Sequence, residues 1–423
     1  MKIAIVGSGI AGSVVAHRLH RRHEVVVFEA GDRAGGHANT HRVDYQGQRY
    51  DIDSGFIVYN EDNYPEFTRL LAGLRVETQP SQMSFSVRNE RIGLEYCGTN
   101  ANTIFAQRRN LVSAQFWRTL LEIRRFNARA PTMLRAGAPQ IPLGEYLRAE
   151  GYSAAFIDHY VVPMGAAIWS TRPGLMLKFP AQFFIRFLQN HGMLNMGKPL
   201  AWRSIVGGSQ RYVDRLIAPF RHRIRLRTPV ERVRRTPAGL FVHAKGAQAE
   251  RFDRVFMACH SDQALALYAD PSALEQQVLG AIPYQVNYAV LHTDASLLPT
   301  CRRAWAAWNY HVMSDPEGPV CLTYDMNVLQ NLRAPTRFLV TLNRSDAIDP
   351  RCVLAEVRYE HPLFSPASTR AQALHRTLNG EHGIYYCGAW WRNGFHEDGV
   401  ASALQAVAHF EQDHEQRAIH RAG

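Results

Sequence analysis

The sequence is short of three things. No apolar run reaches the roughly eighteen residues that a membrane-spanning helix needs, so no transmembrane segment is expected. The six cysteines (Cys97, Cys259, Cys301, Cys321, Cys352 and Cys387) stand far apart, with no C-x-x-C pair and no metal-ligand spacing. That argues against a disulfide framework or a metal site, and reads as reduced thiols in a cytoplasmic protein. Lysine is also scarce: of 48 basic residues only Lys2, Lys178, Lys198 and Lys245 are lysines, in a chain of net charge +11. An arginine-rich surface suits nucleic acid or an anionic membrane. No nucleic-acid module accompanies it, so no nucleic-acid partner is expected, while peripheral contact with an anionic inner-membrane face stays open. A Ser/His/Asp triad and a P-loop are absent too. The first predicted strand opens at Lys2, which leaves no signal peptide ahead of it. At 423 residues the chain is long for a single core, which suggests two lobes.

What is present begins at the first strand. Lys2 to Val6 reads as buried strand, Gly7-Ser8-Gly9-Ile10-Ala11-Gly12 has the G-x-G-x-x-G spacing, and a helical pattern follows from Ser13 to His20. Each glycine has a separate job. Gly7 permits the tight turn, Gly9 lets a pyrophosphate approach the backbone, and Gly12 lets the helix pack closely on the sheet. The helix N-terminus offers free N–H groups and a positive dipole end. A second strand, Glu24 to Phe28, runs into Glu29-Ala30, and an acid there is the expected partner of a ribose diol. The stretch predicts a dinucleotide-binding unit.

Further motifs recur along the chain. Asp32-Arg33-Ala34-Gly35-Gly36-His37 follows closely, then Asp51-Ile52-Asp53-Ser54-Gly55-Phe56. Later come Gly207-Gly208-Ser209-Gln210-Arg211-Tyr212, the strand around Val230, and FDRVFMAC with Asp253 and Val255. Near the C-terminus a strand ends at Gly388, WWRNGFHEDG reads as a loop, and Val400 to His409 as a helix. Together they resemble the FAD-dependent amine oxidase and phytoene desaturase superfamily over the full length. Stretches such as GFIVYNEDNYPEF, PMGAAIWS and CGAWWRNGFHEDG are most similar to a bacterial branch of predicted NAD/FAD-binding proteins.

The resemblance implies an α/β, two-lobed fold, with a Rossmann-type (GR2-like) FAD-binding domain and a mixed α+β substrate domain. The FAD-binding domain would be discontinuous, from residues 1–75, 200–265 and 375–423, and the substrate domain would take 76–199 and 266–374. It implies FAD held without a covalent bond, since no cysteine lies in Val357 to Phe364. FAD contacts would come from Gly7, Gly9, Ile10, Ala11, Gly12, Glu29, Ala30, Arg33, Gly35, Gly36 and His37, where the family usually has arginine. Ser54, Gly55 and Phe56 would lead towards the isoalloxazine ring, and Val230 would meet the adenine end. Gly388, Gly399 and Val400 would complete the flavin end.

The reaction is less defined. Phe105 to Asn127 reads as one long amphipathic helix with its arginines on a solvated face. Phe179, Phe183, Phe184, Phe187 and Leu188 fall at helical spacing, as core or as the wall of a substrate tunnel. Segments between Ile282 and Asn343 predict an antiparallel sheet flooring a substrate pocket, with Trp305, Trp308, Tyr310, Tyr324 and Tyr359 as candidate lining. The lysine that holds a water near flavin N5 in many relatives would fall near Asn287 or Tyr288, and neither is lysine. Phe395 keeps one wall of the family's aromatic cage. His396 and Glu397 beside it are candidate acid, base or anchor, and Tyr310 is a further candidate catalytic residue. Three readings stay open: an oxidase or desaturase of an apolar, lipid acyl-chain substrate; an amine oxidase; and a redox-neutral flavoprotein or flavin-binding partner. The oligomeric state is not readable.

Overall fold

The structure is a computed structural model that describes residues 1–194, 200–313, 315 and 318–422. Its first sheet is five-stranded and wholly parallel. The strand order is Ile224–Arg225, Glu24–Phe28, Lys2–Val6, Arg254–Met257, Ile384–Tyr386. Alternate residues of a strand face opposite sides, and here both sides are buried. Ile3, Ile5, Val25, Val27, Phe256 and Tyr385 enter one core. Ala4, Val6, Val26, Phe28, Val255, Met257, Ile384 and Tyr386 enter the other. This is why these strands read as continuous apolar runs.

The first core is closed by the helix Ile10–Leu19 and the 27-residue helix His396–Ala422. Val400, Ala403, Val407 and Phe410 recur at three- and four-residue steps along the latter and are buried together. The second core lies under a three-stranded antiparallel sheet, Val230–Thr236, Gly239–Ala244 and Glu250–Phe252.

The other large sheet has seven strands, in the order Val353–Pro362, Tyr284–His292, Leu339–Leu342, Cys321–Asp325, Trp308–Val312, Phe85–Asn89, Leu94–Cys97. It is mixed rather than antiparallel throughout, because Trp308–Val312 pairs in parallel with Phe85–Asn89. A helical layer lies alongside, with Phe126, Leu143, Phe156, Met176, Phe179, Phe184 and Ile185 at its core.

Three expected boundaries move. The first helix starts at Ile10, because Gly9 is its extended N-cap and the Ser13 amide donates to the Gly9 carbonyl at 2.9 Å. The expected helix over 105–127 is divided. A short helix, Ala101–Ile104, and a 3₁₀ turn, Arg108–Val112, precede Ala114–Arg129. Ser113 caps that last helix, its hydroxyl accepting from the Phe116 amide, and so breaks the run. The C-terminal helix starts at His396, four residues before the expected Val400. Asp398 folds back to accept from the Asn393 and Phe395 amides at 3.2 and 2.9 Å and closes the loop early.

Candidate active site

The parallel sheet brings the glycine motifs to one rim. The Gly7 amide donates to the Phe28 carbonyl at 2.8 Å, and Gly7 has φ +102°, which favours glycine. A Cβ on Gly12 would lie 2.0 Å from the Gly7 carbonyl oxygen, so helix and loop touch there. A Cβ on Gly9 would meet no protein atom within 4 Å. It points into a cavity of about 1290 Å³ lined by Gly7, Gly9, Ile10, Ala11, Glu29, Ala30, Gly35, Gly36, His37, Gly55, Phe56, Val230, Gly388, Phe395 and His396. Most of the sequence-predicted positions are thus brought together.

The Gly35 amide donates to the Ser8 carbonyl at 3.1 Å, which lays the second glycine pair on the first loop. Glu29 accepts from the Ser8 amide (2.9 Å), the Ser8 hydroxyl (2.5 Å) and the Gly31 amide (2.8 Å). A carboxylate has about four acceptor positions, so one is left for a ligand hydroxyl. These features fit a dinucleotide: an open glycine cradle for the phosphates and an acid at the end of the second strand. The cavity also exceeds the roughly 300–1,000 Å³ of an ordinary small-ligand pocket, leaving room for a second molecule.

Several expected residues act differently. Gly12, Arg33, Ser54, Tyr310, Gly399 and Val400 do not line the cavity. Arg33 instead shapes the loop, donating to the Ala38 and Gly36 carbonyls at 2.8 and 2.6 Å. Ser54 bonds Tyr359 and His41, both at 2.8 Å. Gly399 faces Ile10, where a Cβ would meet the isoleucine methyl at 2.7 Å, so it serves a close helix contact. Val400 is core. Tyr310 is buried in the sheet core beside Phe85, and Trp305 stacks with Arg302 and Arg337 instead of lining. Trp308 and Tyr324 do line the cavity, edge to face at 5.2 Å. Tyr359 stacks on His37 at 4.8 Å.

His396 reaches the cavity, but its ring stacks on Phe56 at 3.6 Å and its Nε2 is 2.9 Å from the hydroxyl of buried Tyr212. Burial lowers its pKa to about 3, so its ring is neutral at neutral pH and only weakly basic. Glu397 accepts from the Glu66 and Phe67 amides at 3.2 and 2.9 Å and caps the helix Pro65–Gly73. Phe395 stacks on Phe187 at 5.2 Å, in the cavity wall. Asn287, near the position of the relatives' lysine, is buried and donates to the Ser170 carbonyl at 3.0 Å.

Other lining residues were not singled out from sequence. His260, Glu360 and His361 line the cavity with His37, His361 lying 5.3 Å from His37 and His260 3.3 Å from Glu360, and burial lowers the pKa of all three histidines. The rest of the wall is mostly apolar, with Met83, Phe85, Leu120, Ile123, Met164 and Trp169, and Tyr96, Thr99, Asn127, Tyr160 and His191 are among its polar members. Of the aromatic stripe, Phe187 lines the cavity, while Phe179 and Phe184 are core. Leu120, Ile123 and Asn127 lie at helical spacing on the helix read as amphipathic with its arginines on a solvated face, a signal that would have found them.

A family model, flavin containing amine oxidoreductase, matches residues 10–300. The chain belongs to this family. It is a flavin-dependent oxidoreductase of the amine oxidase superfamily. The Mycobacterium tuberculosis protein AofH, named as a flavin-containing monoamine oxidase, is 24% identical over 347 residues, covering 77% of this chain and 70% of AofH. Among solved structures, one from Exiguobacterium sp. 255-15, titled a protoporphyrinogen oxidase, superposes with TM-score 0.71 at 18% identity, covering 97% and 99% of the two chains. A conjugated-linoleic-acid-producing (CLA-producing) fatty acid isomerase from P. acnes superposes with TM-score 0.67 at 15% identity, covering 96% and 98%. These structural likenesses show a shared fold, which serves different chemistries.

Proposed function

We propose that the chain binds FAD non-covalently and oxidises an apolar substrate, an unsaturated or methylated acyl chain. The observation that carries this reading is the cavity lining. Among the described residues it contains no lysine, arginine or aspartate, and its two glutamates, Glu29 and Glu360, stand by the dinucleotide cradle and the histidine group. Lys198 lies outside the described residues. A cationic amine wants a carboxylate or a full aromatic cage, whereas an acyl chain wants an apolar wall. When bound, FAD supplies a hydride acceptor at ring N5.

The chain's residues supply the surroundings. Phe395, Phe187, Trp169 and Phe364 form a dry wall that holds a substrate carbon and excludes water. His191, the titratable ring among them, has its pKa lowered to about 4 by burial and stays neutral. Its Nδ1 is 2.9 Å from the Phe187 carbonyl, an acceptor only, so Nδ1 carries the proton. The lining cysteine, Cys259, lies beside Gly7 with its thiol pushed up to about 12 by burial, which supports non-covalent binding.

The aromatic pair Phe395–Phe187 and the likeness to AofH favour a second reading, oxidation of a primary amine. The test mixes oxidised, FAD-loaded enzyme with total lipid extract, and separately with a panel of primary amines and polyamines, without oxygen. Bleaching of the flavin absorbance by lipid is the expected result. Bleaching by amines alone overturns the acyl-chain reading. Conversion of lipid with no net bleaching under any condition would make the enzyme an isomerase.

A further inference from the structure

The described residues include ten large hydrophobic side chains left exposed, and five of them, Ile92, Leu111, Val112, Trp117 and Leu121, gather on one face. Val112 is 89% exposed and Leu121 63%. The group is built rather than accidental. The Trp117 indole N–H donates to the Leu111 carbonyl at 2.8 Å and the ring packs on Phe105 at 5.2 Å, so Trp117 and the Arg108–Val112 turn form one ridge. Arg109 donates to the Gly93 carbonyl, which fastens the hairpin turn bearing Ile92 beside that ridge.

The charge around the ridge is one-sided. From Ala101 to Arg129 the chain has Arg108, Arg109, Arg118, Arg124, Arg125 and Arg129 against one acid, Glu122. Glu122 is buried, pairs with Arg118 at 3.4 Å and accepts from the Ser153 hydroxyl. Arg108, Arg109 and Arg124 are exposed and make no salt bridge within the described residues. Arg108 and Arg109 bond only uncharged oxygens, of Asn102, Phe105, Gly93 and Gln107, so their charge is unneutralised. Apolar side chains ringed by arginines without an acid partner match a surface that is greasy beneath and anionic on top. A soluble acidic protein would satisfy the arginines but would not call for Val112 and Leu121 to protrude singly.

The ridge is also one wall away from the cavity. The helix Ala114–Arg129 turns Leu120, Ile123 and Asn127 into the cavity lining and Trp117, Leu121 and Arg124 outwards. We propose that this face docks on an anionic phospholipid surface. Val112, Trp117 and Leu121 enter the interface, and Arg108, Arg109 and Arg124 meet the headgroup phosphates. Docking there sets the apolar end of the cavity against the lipid phase. The proposal goes beyond the substrate reading, and its test involves no turnover, so either can fail alone.

The experiment is co-sedimentation of the FAD-loaded full chain with vesicles of phosphatidylcholine, with or without phosphatidylglycerol. The expected result is binding to the anionic vesicles, little to neutral ones, and weakening as salt rises. Val112→Glu with Leu121→Glu, and separately Arg108→Glu with Arg124→Glu, should each lower vesicle affinity at least about tenfold. Both variants should keep their bound flavin, since these four side chains are exposed and none lines the cavity. The proposal is overturned if anionic vesicles are not bound, or if binding survives both variants. It is also overturned if the wild type forms a dimer that the Val112 and Leu121 changes abolish, because the ridge would then be a contact between copies.

Discussion

Gly9 and Gly12 carry the same residue for opposite reasons. Gly9 has an ordinary backbone, φ −63° and ψ −176°, and an open space where its Cβ would stand. Gly9→Ala should therefore leave the melting temperature nearly unchanged while its methyl obstructs the phosphates. Equilibrium dialysis should show weaker FAD binding, and unchanged affinity would put the phosphates elsewhere. Gly12→Ala sets a methyl against the Gly7 carbonyl and should destabilise the fold itself by roughly 1–3 kcal/mol, read by denaturant unfolding. Glu29→Ala removes the acceptor of three hydrogen bonds that shape the cradle, together with the ribose contact proposed for it. FAD affinity should drop at least about tenfold, with Glu29→Gln in between, because the amide keeps one acceptor oxygen.

Among the elements, the long C-terminal helix is the one that ties the site together. Its first turn carries Glu397 and Asp398, two acids where the helix dipole favours negative charge. One caps a neighbouring helix and the other closes the Asn393–Phe395 loop against the cavity. One turn further on, the Ser402 hydroxyl accepts from the Gly388 amide at 3.0 Å and donates to the Gly388 carbonyl at 2.9 Å. That fastens the end of the last parallel strand to the helix. Ser402→Ala would leave the Gly388 amide buried and unpaired, and should cost about 1–3 kcal/mol in denaturant unfolding. A loss within experimental error would show that the strand end repairs itself. None of this was legible beforehand, since Gly388 and Ser402 are joined only once strand and helix are packed.

For the molecule as a whole, buried histidines set the response to acid. Burial lowers the pKa of His191, His292, His361 and His375 to about 4, and of His311 and His396 to about 3, against an ordinary 6.5. Between those values the unfolded chain binds more protons than the folded one. Stability is therefore intact above 6.5 and is lost as pH falls towards 4. Asp53 and Asp398, raised by burial to about 6 and about 7, have the opposite sign and offset part of the loss. The six histidines outweigh them, so the melting temperature should be clearly lower at about pH 5 than at about pH 7. An equal or higher value at the lower pH would contradict the balance.

The sequence by itself determined the open glycine cradle at the rim of the parallel sheet. Glycine spacing, the acid at Glu29 and the apolar strand runs are local patterns, and the physics of a tight turn or a close phosphate acts over a few residues. The cradle at Gly7, Gly9, Gly35 and Gly36 was therefore readable before the fold. Only the tertiary structure decided the rest. It sent Tyr310 into a core, Glu397 to a helix cap and His396 to a stacked neutral ring, and it gathered His260, Glu360, Leu120 and Ile123 on one cavity from three distant segments. What such a side chain faces depends on which strands and helices pack around it. Burial, which sets its charge and its partners, is a property of that packing and not of the neighbouring residues.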